Sequence, residues 1–495
     1  TEPPPADIGD RYALAGRVVS MDPDVAVLAA GLVYIEGETI AEVVPEGEPA
    51  PPGFEDAPVL DTAGTIYPGL IDLANHSAYS AHPMWMMTRR YRDRDHWPRV
   101  VQYQGRVTQP SQRLAKVAEA LVRFAEAKLL VGGVTSGMRP GRFTIGDPAV
   151  RQIRRPNHPM LPEVTVRVAP LDERSLDRLP EQLAKRRMLA NTAQGIDSER
   201  ARRELLRVLD VDIDLPPGLA LVGCSAARDD DYARMADRGL ALVWTPLSDL
   251  VLYGGTIDVG AAGDRRVVMG LGSTWPVTGS KNLLGELKAA WATNRWWGEP
   301  FDERRLVAMA TIDAASILGW DSALGSVAPG KLADLVVVDG RGGDPHDHLI
   351  MATEASIELV VVGGRPRYGR PDWLRRCGVD AEPWTVGSTT RAVARADGLP
   401  TLAESIEPVA AALAEFGLEP DPLTVDDDPR FFDHLNRQPN IPDEVLSDLL
   451  VAYGEWSGRP TAVPARVSRA QPFYGFLPRE GPSMRRFEAL PPMER

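Results

Sequence analysis

Hydrophobic and polar positions alternate in short runs along much of this chain. Arg17–Met21, Gly31–Ile35 and Thr39–Val44 are β-type runs broken by Pro, Gly and Asp turns, and they predict the first half of a small β-domain over residues 1–64. Ile66–Leu73 is apolar with a Pro-Gly inside it, which suits a buried strand entered through a turn. Further β-type runs follow at Val134–Gly137, Ala149–Arg154, Val164–Val168, Arg187–Asn191, Leu219–Gly223, Ala241–Thr245 and Val267–Gly272, most of them separated by helix-like segments; Leu114, Val117, Leu121 and Phe124 show the helical spacing. The alternation over residues 65–322 predicts an α/β fold with a parallel sheet. Residues 83–110, crowded with Arg, Asp, Tyr and Trp and lacking a clear period, predict a long loop of the kind that covers a site. Ala308–Leu318 predicts a helix, and residues 323–370 are again rich in strand-type runs, at Leu324–Val338 and Ile357–Arg365. Residues 371–495 predict an extension with two amphipathic helices, Ile406–Phe416 and Glu444–Trp456. From Arg459 the chain turns to Pro, Arg and aromatics, and such a stretch is ordered only when it packs on something, a neighbouring subunit being the expected surface.

Composition narrows the class. A chain of 495 residues, 44% apolar and 25% charged, can bury a large core as one big domain with smaller ones attached. No run of about 18 apolar residues predicts a membrane span, and Thr1–Asp7 shows no signal region, so the expected location is cytoplasmic. The formal net charge of −14 speaks against nucleic acid or an anionic membrane as partner. Cys224 and Cys377 form no disulfide framework or zinc pattern, and 7 histidines are few for an enzyme that uses several on one metal. Phosphate-loop, nucleophile-elbow and H-E-x-x-H motifs are absent.

The segment T-I-Y-P-G-L-I-D-L-A-N-H, residues 65–76, resembles the first barrel strand of the amidohydrolase superfamily, P-G-x-I-D-x-H-x-H. L-G-S-x-x-x-G-K-x-A-D from Leu324 and V-T-G-S-K-N-L-L-G-E-L-K from Val277 are similar to further family segments, so the resemblance covers about residues 10–370. It implies a (β/α)8 TIM-like barrel plus a small β-domain that pairs the N-terminal and post-barrel segments. It also implies one or two metal ions held by histidines on strands 1, 5 and 6 and by an aspartate ending strand 8. Here those positions read Ala74 on strand 1, Asn191 on strand 5, Gly223 on strand 6 and Thr274 on strand 8, with Gln194 where the family has a glutamate. By strand alternation Asp72, Ala74 and His76 would share one side, leaving His76 as the one histidine in place.

Three expectations follow. The first is a metal-poor subunit that binds no cofactor of its own and completes a hetero-oligomer with a metal-bearing amidohydrolase-fold paralogue. The resemblance extends, more loosely, to two-subunit amidohydrolase-fold oxygenases of the 2-aminoisobutyric acid hydroxylase kind, which would place a dinuclear metal in the partner and make the complex a hydroxylase of a small amino acid. The second is a self-standing hydrolase of C–N bonds with one divalent ion on His76, helped by loop groups such as His82, Asp93, Asp95 and His96. The third is a metal-free small-molecule binding protein. In each, Asn75, Gln194, Trp275, Lys281 and Asn282 are candidate ligand contacts; for Lys281 and Asn282 a helix N-terminal turn is the alternative. Trp275, Trp291, Trp296 and Trp297 are also read as core or interface packing.

Overall fold

A computed structural model describes residues 9–25, 27–140, 149–212, 215–426 and 428–457. Its centre is a barrel of eight short parallel strands: β1 (Leu70–Ile71), β2 (Val134–Gly137), β3 (Arg151–Gln152), β4 (Thr165–Arg167), β5 (Met188–Thr192), β6 (Leu219–Gly223), β7 (Ala241–Trp244) and β8 (Met269–Leu271). They pair in order as β1–β2–β3 and β4–β5–β6–β7–β8, and the Leu73 N–H donates to Leu271 O at 3.3 Å to bring β1 against β8. Side-chain alternation sorts the apolar residues. Leu189, Ala220, Val222 and Val243 fill the interior with Ile71, while their neighbours Met188, Leu221, Leu242 and Trp244 pack outward against the helices.

The β-domain is a nine-stranded sheet fed from both sides of the barrel. Arg11–Val18, Leu28–Glu36, Thr39–Pro45 and Val59–Pro68 come before the barrel; Leu335–Val338, Ile357–Val362 and Arg365–Gly369 come after it. The join is antiparallel pairing of Leu335–Val338 on Thr65–Pro68. The single strand expected over residues 66–73 is therefore two. It divides at Gly69, where a Cβ would lie 2.3 Å from Thr135, so only glycine lets the chain pass this close on its way into β1. The strand expected at Arg17–Met21 runs earlier, over Arg11–Val18.

The C-terminal extension is more than helical. Ala381–Val386 and Thr389–Ala394 add two strands to the sheet, a hairpin the sequence reading passed over. The helices lie at Leu402–Ala414, Pro429–Asn436 and Asp443–Ser457. Thr401 and Glu404 form a reciprocal cap on the first, which shifts its start ahead of the expected Ile406. The tail from Arg459, expected to form an interface, lies outside the described residues.

Residues 83–110 are not structureless throughout. From Val101 they are helical, because Trp85, Tyr91, Trp97 and Tyr103 bury into a cluster with Leu247, Leu250 and Tyr253 and with Phe431 and Tyr453 of the extension. Among the described residues no helix is long and apolar enough to cross a membrane.

Candidate functional site at the barrel mouth

Beyond the C-terminal ends of the strands lies a cavity of about 180 Å³. His76, Asn191, Gln194, Thr274 and Trp275 line it together with Arg94, Asp95, Trp97, Ser248, Asp249 and Tyr253. Strands β1, β5 and β8 thus deliver to one space five of the residues picked from the sequence: His76, Asn191, Gln194, Thr274 and Trp275. Backbone strain marks the same rim. Ala193, Cys224 and Thr274 have φ of 53°, 59° and 51°, and a β-branched threonine in this region is a true outlier of the kind that gathers at functional sites.

Other expectations are corrected. Strand β1 ends at Ile71, before the stretch over which alternation was expected, and of Asp72, Ala74 and His76 only His76 lines the cavity. Leu73 and Ala74 join the barrel interior, with Ala74 pressed against Gly272, where a Cβ would meet its methyl at 2.6 Å. The Asp72 carboxylate is bound instead by the Ser273 N–H (3.0 Å) and hydroxyl (2.5 Å). Asn75 spans Met138, accepting its N–H at 2.6 Å and donating to its carbonyl at 3.3 Å. Gly223 has φ +90°, and a Cβ there would meet Gln194 at 2.7 Å, so this backbone does not accept a histidine without moving.

Lys281 and Asn282 fall outside the cavity lining. Asn282 caps the helix Leu283–Trp296 and donates to Glu354, while the Lys281 ammonium binds Asp421, His82 O and Pro276 O. They brace the mouth from behind. His82 hydrogen-bonds Ser111, Asp93 accepts from the Ser198 hydroxyl and His96 accepts from Arg92 N–H, so of the proposed loop helpers only Asp95 reaches the cavity.

Among the described residues no three His, Cys, Asp or Glu groups are placed to share a divalent ion. Asp95 is engaged by Arg200. Asp249 has its pKa pushed up to about 8 by burial, so near neutrality it is a carboxylic acid able to donate a hydrogen bond. His76 is pushed down to about 4, by burial first and by Arg154 second, and stays neutral. The cavity thus offers a neutral imidazole, two side-chain amides, a protonated carboxyl and the faces of Trp97, Trp275 and Tyr253. Trp275 is the hub: its ring lies 4.6 Å from Trp97, 5.4 Å from His76 and 5.7 Å from Tyr79. Such a lining suits a small, planar, hydrogen-bonding molecule.

The sequence reading missed Arg94, Trp97, Ser248, Asp249 and Tyr253. A signal for the last three was present in W-T-P-L-S-D-L-V-L-Y-G, residues 244–254, which forms the helix Pro246–Tyr253 directly after β7.

These shifts set an unusual pH dependence. The buried carboxyls Asp249 and Glu286 both titrate near pH 8 in the folded chain, against about 4 when unfolded. The folded chain holds protons that the unfolded chain releases, so their contribution is complete below about pH 4 and is lost as pH rises to 8. His76 and His82, both lowered to about 4, act in the opposite sense, and stability from them is lost as pH falls from about 6.5 to 4. Urea unfolding should therefore show stability declining between about pH 6.5 and 8. Asp249→Asn should remove its share of that decline; a variant profile as steep as the parent's would refute the assignment.

Residues 218–367 match the amidohydrolase family. The chain is 31% identical over 177 residues to a 5-methylthioadenosine/S-adenosylhomocysteine deaminase from Symbiobacterium thermophilum, an alignment covering 32% of this chain and 39% of the relative. A protein of the same name from Syntrophobacter fumaroxidans aligns at 25% identity over 72% of this chain and 92% of its own length. The first of these alignments thus spans about two fifths of the relative's length. Among solved structures, triazine hydrolase from Arthobacter aurescens superimposes with a TM-score of 0.57 at 18% identity, covering 82% of this chain and 99% of that one. This chain therefore has the amidohydrolase fold, a TIM-like barrel with an attached β-domain.

Proposed function

We propose that the barrel mouth binds a small planar nitrogen heterocycle of purine type, and that this chain is the ligand-binding, metal-poor member of a complex in which a metal-bearing amidohydrolase-fold paralogue hydrolyses a C–N bond. The observation that carries the reading is the cavity lining: hydrogen-bonding groups and aromatic faces converge there, and a divalent-ion ligand set does not. Relatives named as deaminases support C–N hydrolysis as the chemistry. They lend no support to an oxygen-dependent hydroxylase. In the bound state Trp275 and Trp97 would offer stacking faces, Asn191 and Gln194 would read the ring edge, and the protonated Asp249 would donate to a ring nitrogen.

The test is elemental analysis of the purified full chain, coupled to calorimetric titration with adenosine and an assay for released ammonia. The expected result is metal well below one ion per chain, adenosine binding that survives a chelator, and no ammonia. Close to one tightly held ion per chain, lost in His76→Ala together with ammonia release, would overturn the reading in favour of a self-standing hydrolase.

A further inference from the structure

A second hollow of about 340 Å³ adjoins the cavity, lined by Pro170, Arg200, Arg203, Glu204 and Arg207. Pro170 belongs to both walls. Two ion pairs form the rest of the seam: Arg94 with Glu204 at 3.7 Å, and Asp95 with Arg200. Each joins a residue that lines the cavity to one that lines the hollow. Arg200, Arg203 and Arg207 lie at helical spacing along Glu199–Asp210 and so project from one face.

The charges across this seam do not balance. Glu204, the one acid lining the hollow, is held by Arg94 and by the Ala193 N–H, and Arg200 is paired with Asp95. The Arg203 and Arg207 side chains are exposed and have no hydrogen-bond or ion-pair partner among the described residues. Arg94 is about nine-tenths buried. It donates through Nη1 to Val168 O and Asn191 O, both at 3.1 Å, yet its Nη2 has no partner among the described residues. In a chain of net charge −14, spare guanidinium donors on both sides of one seam are a local reversal of sign, and planar guanidinium forks match phosphate oxygens.

We infer that the hollow is a phosphate subsite and that the ligand of the cavity is a phosphorylated heterocycle of nucleoside monophosphate type. The inference rests on the proposed purine-type reading of the cavity and names the substrate class more closely. The ring sits in the cavity, and the phosphate crosses the seam to Arg203 and Arg207.

Calorimetric titration of the full chain with adenosine, adenosine 5′-monophosphate and inorganic phosphate tests it, alongside the surface variant Arg203→Ala/Arg207→Ala. The monophosphate should bind about tenfold tighter than adenosine at low salt, as two charge-assisted contacts imply, and the double variant or 0.5 M NaCl should erase that advantage. Equal affinity for adenosine and its monophosphate would overturn the phosphate subsite while leaving the cavity reading intact. Binding of neither would overturn the purine-type reading; phosphate alone then decides the subsite, supported if the double variant abolishes phosphate binding and refuted if phosphate does not bind.

Discussion

Lys281→Ala is expected to destabilise the chain by about 3 kcal/mol, the lower end of the range for breaking a buried ion pair. The Lys281 ammonium is 2.5 Å from Asp421 and donates to Pro276 O at 2.6 Å and His82 O at 3.1 Å. Both side chains of the pair are nearly sealed from water, so truncating one leaves the other charge buried. The effect is held to the lower end because Lys128 remains 4.0 Å from Asp421 while donating to Ser80 O and Pro422 O. Replacing both partners by apolar residues, as in Lys281→Met/Asp421→Leu, should recover most of the loss, since the desolvation penalty goes with the charges. Urea unfolding of the two variants decides it, and a Lys281→Ala chain as stable as the parent would sink the argument. The position matters for the mouth as well, because this contact fastens the C-terminal extension to Pro276, next to Trp275, and to the loop at residue 82.

Trp275→Ala should have the largest effect on ligand binding. Trp275 faces the cavity and holds Trp97, His76, Tyr79 and Tyr103 at ring distances of 4.6, 5.4, 5.7 and 6.5 Å. Removing it takes away a stacking face, worth about 1–3 kcal/mol per base, which is about 5- to 150-fold in Kd. It also leaves Trp97, whose indole N–H is bound to the Tyr253 hydroxyl at 3.2 Å, without its main packing partner. A stability loss of about 3 kcal/mol is expected alongside, the lower end for large aromatic truncations because Trp275 is only partly buried. Trp275→Phe should restore much of the stability and part of the affinity. Unchanged affinity in a folded Trp275→Ala chain, measured by calorimetry, would remove the aromatic wall from the recognition scheme.

The strand-and-helix alternation was written in the chain, because apolar period depends only on neighbouring residues, whereas closure into a barrel was implied only by the family resemblance. Four positions stood out only through that resemblance: Ala74, Asn191, Gly223 and Thr274 sit where its segments carry metal ligands. What sequence could not decide was which of them share a space. Asn191 and Thr274 reach the cavity, whereas Ala74 packs against Gly272 and Gly223 against Gln194, because β1 ends before the alternation can be extended and β6 ends in a left-handed turn. For Lys281 and Asn282 the sequence left a ligand contact and a helix N-terminal turn both open; Asn282 is the helix cap, and the partners Asp421 and Glu354 come in from 140 and 72 positions away. Arg94, Asp249 and the arginines of Glu199–Asp210 carried no local signal of a shared task. Only folding places a loop, a post-strand helix and a surface helix on one rim, and burial, a property of the whole packed chain, sets the protonation of Asp249 and His76 there.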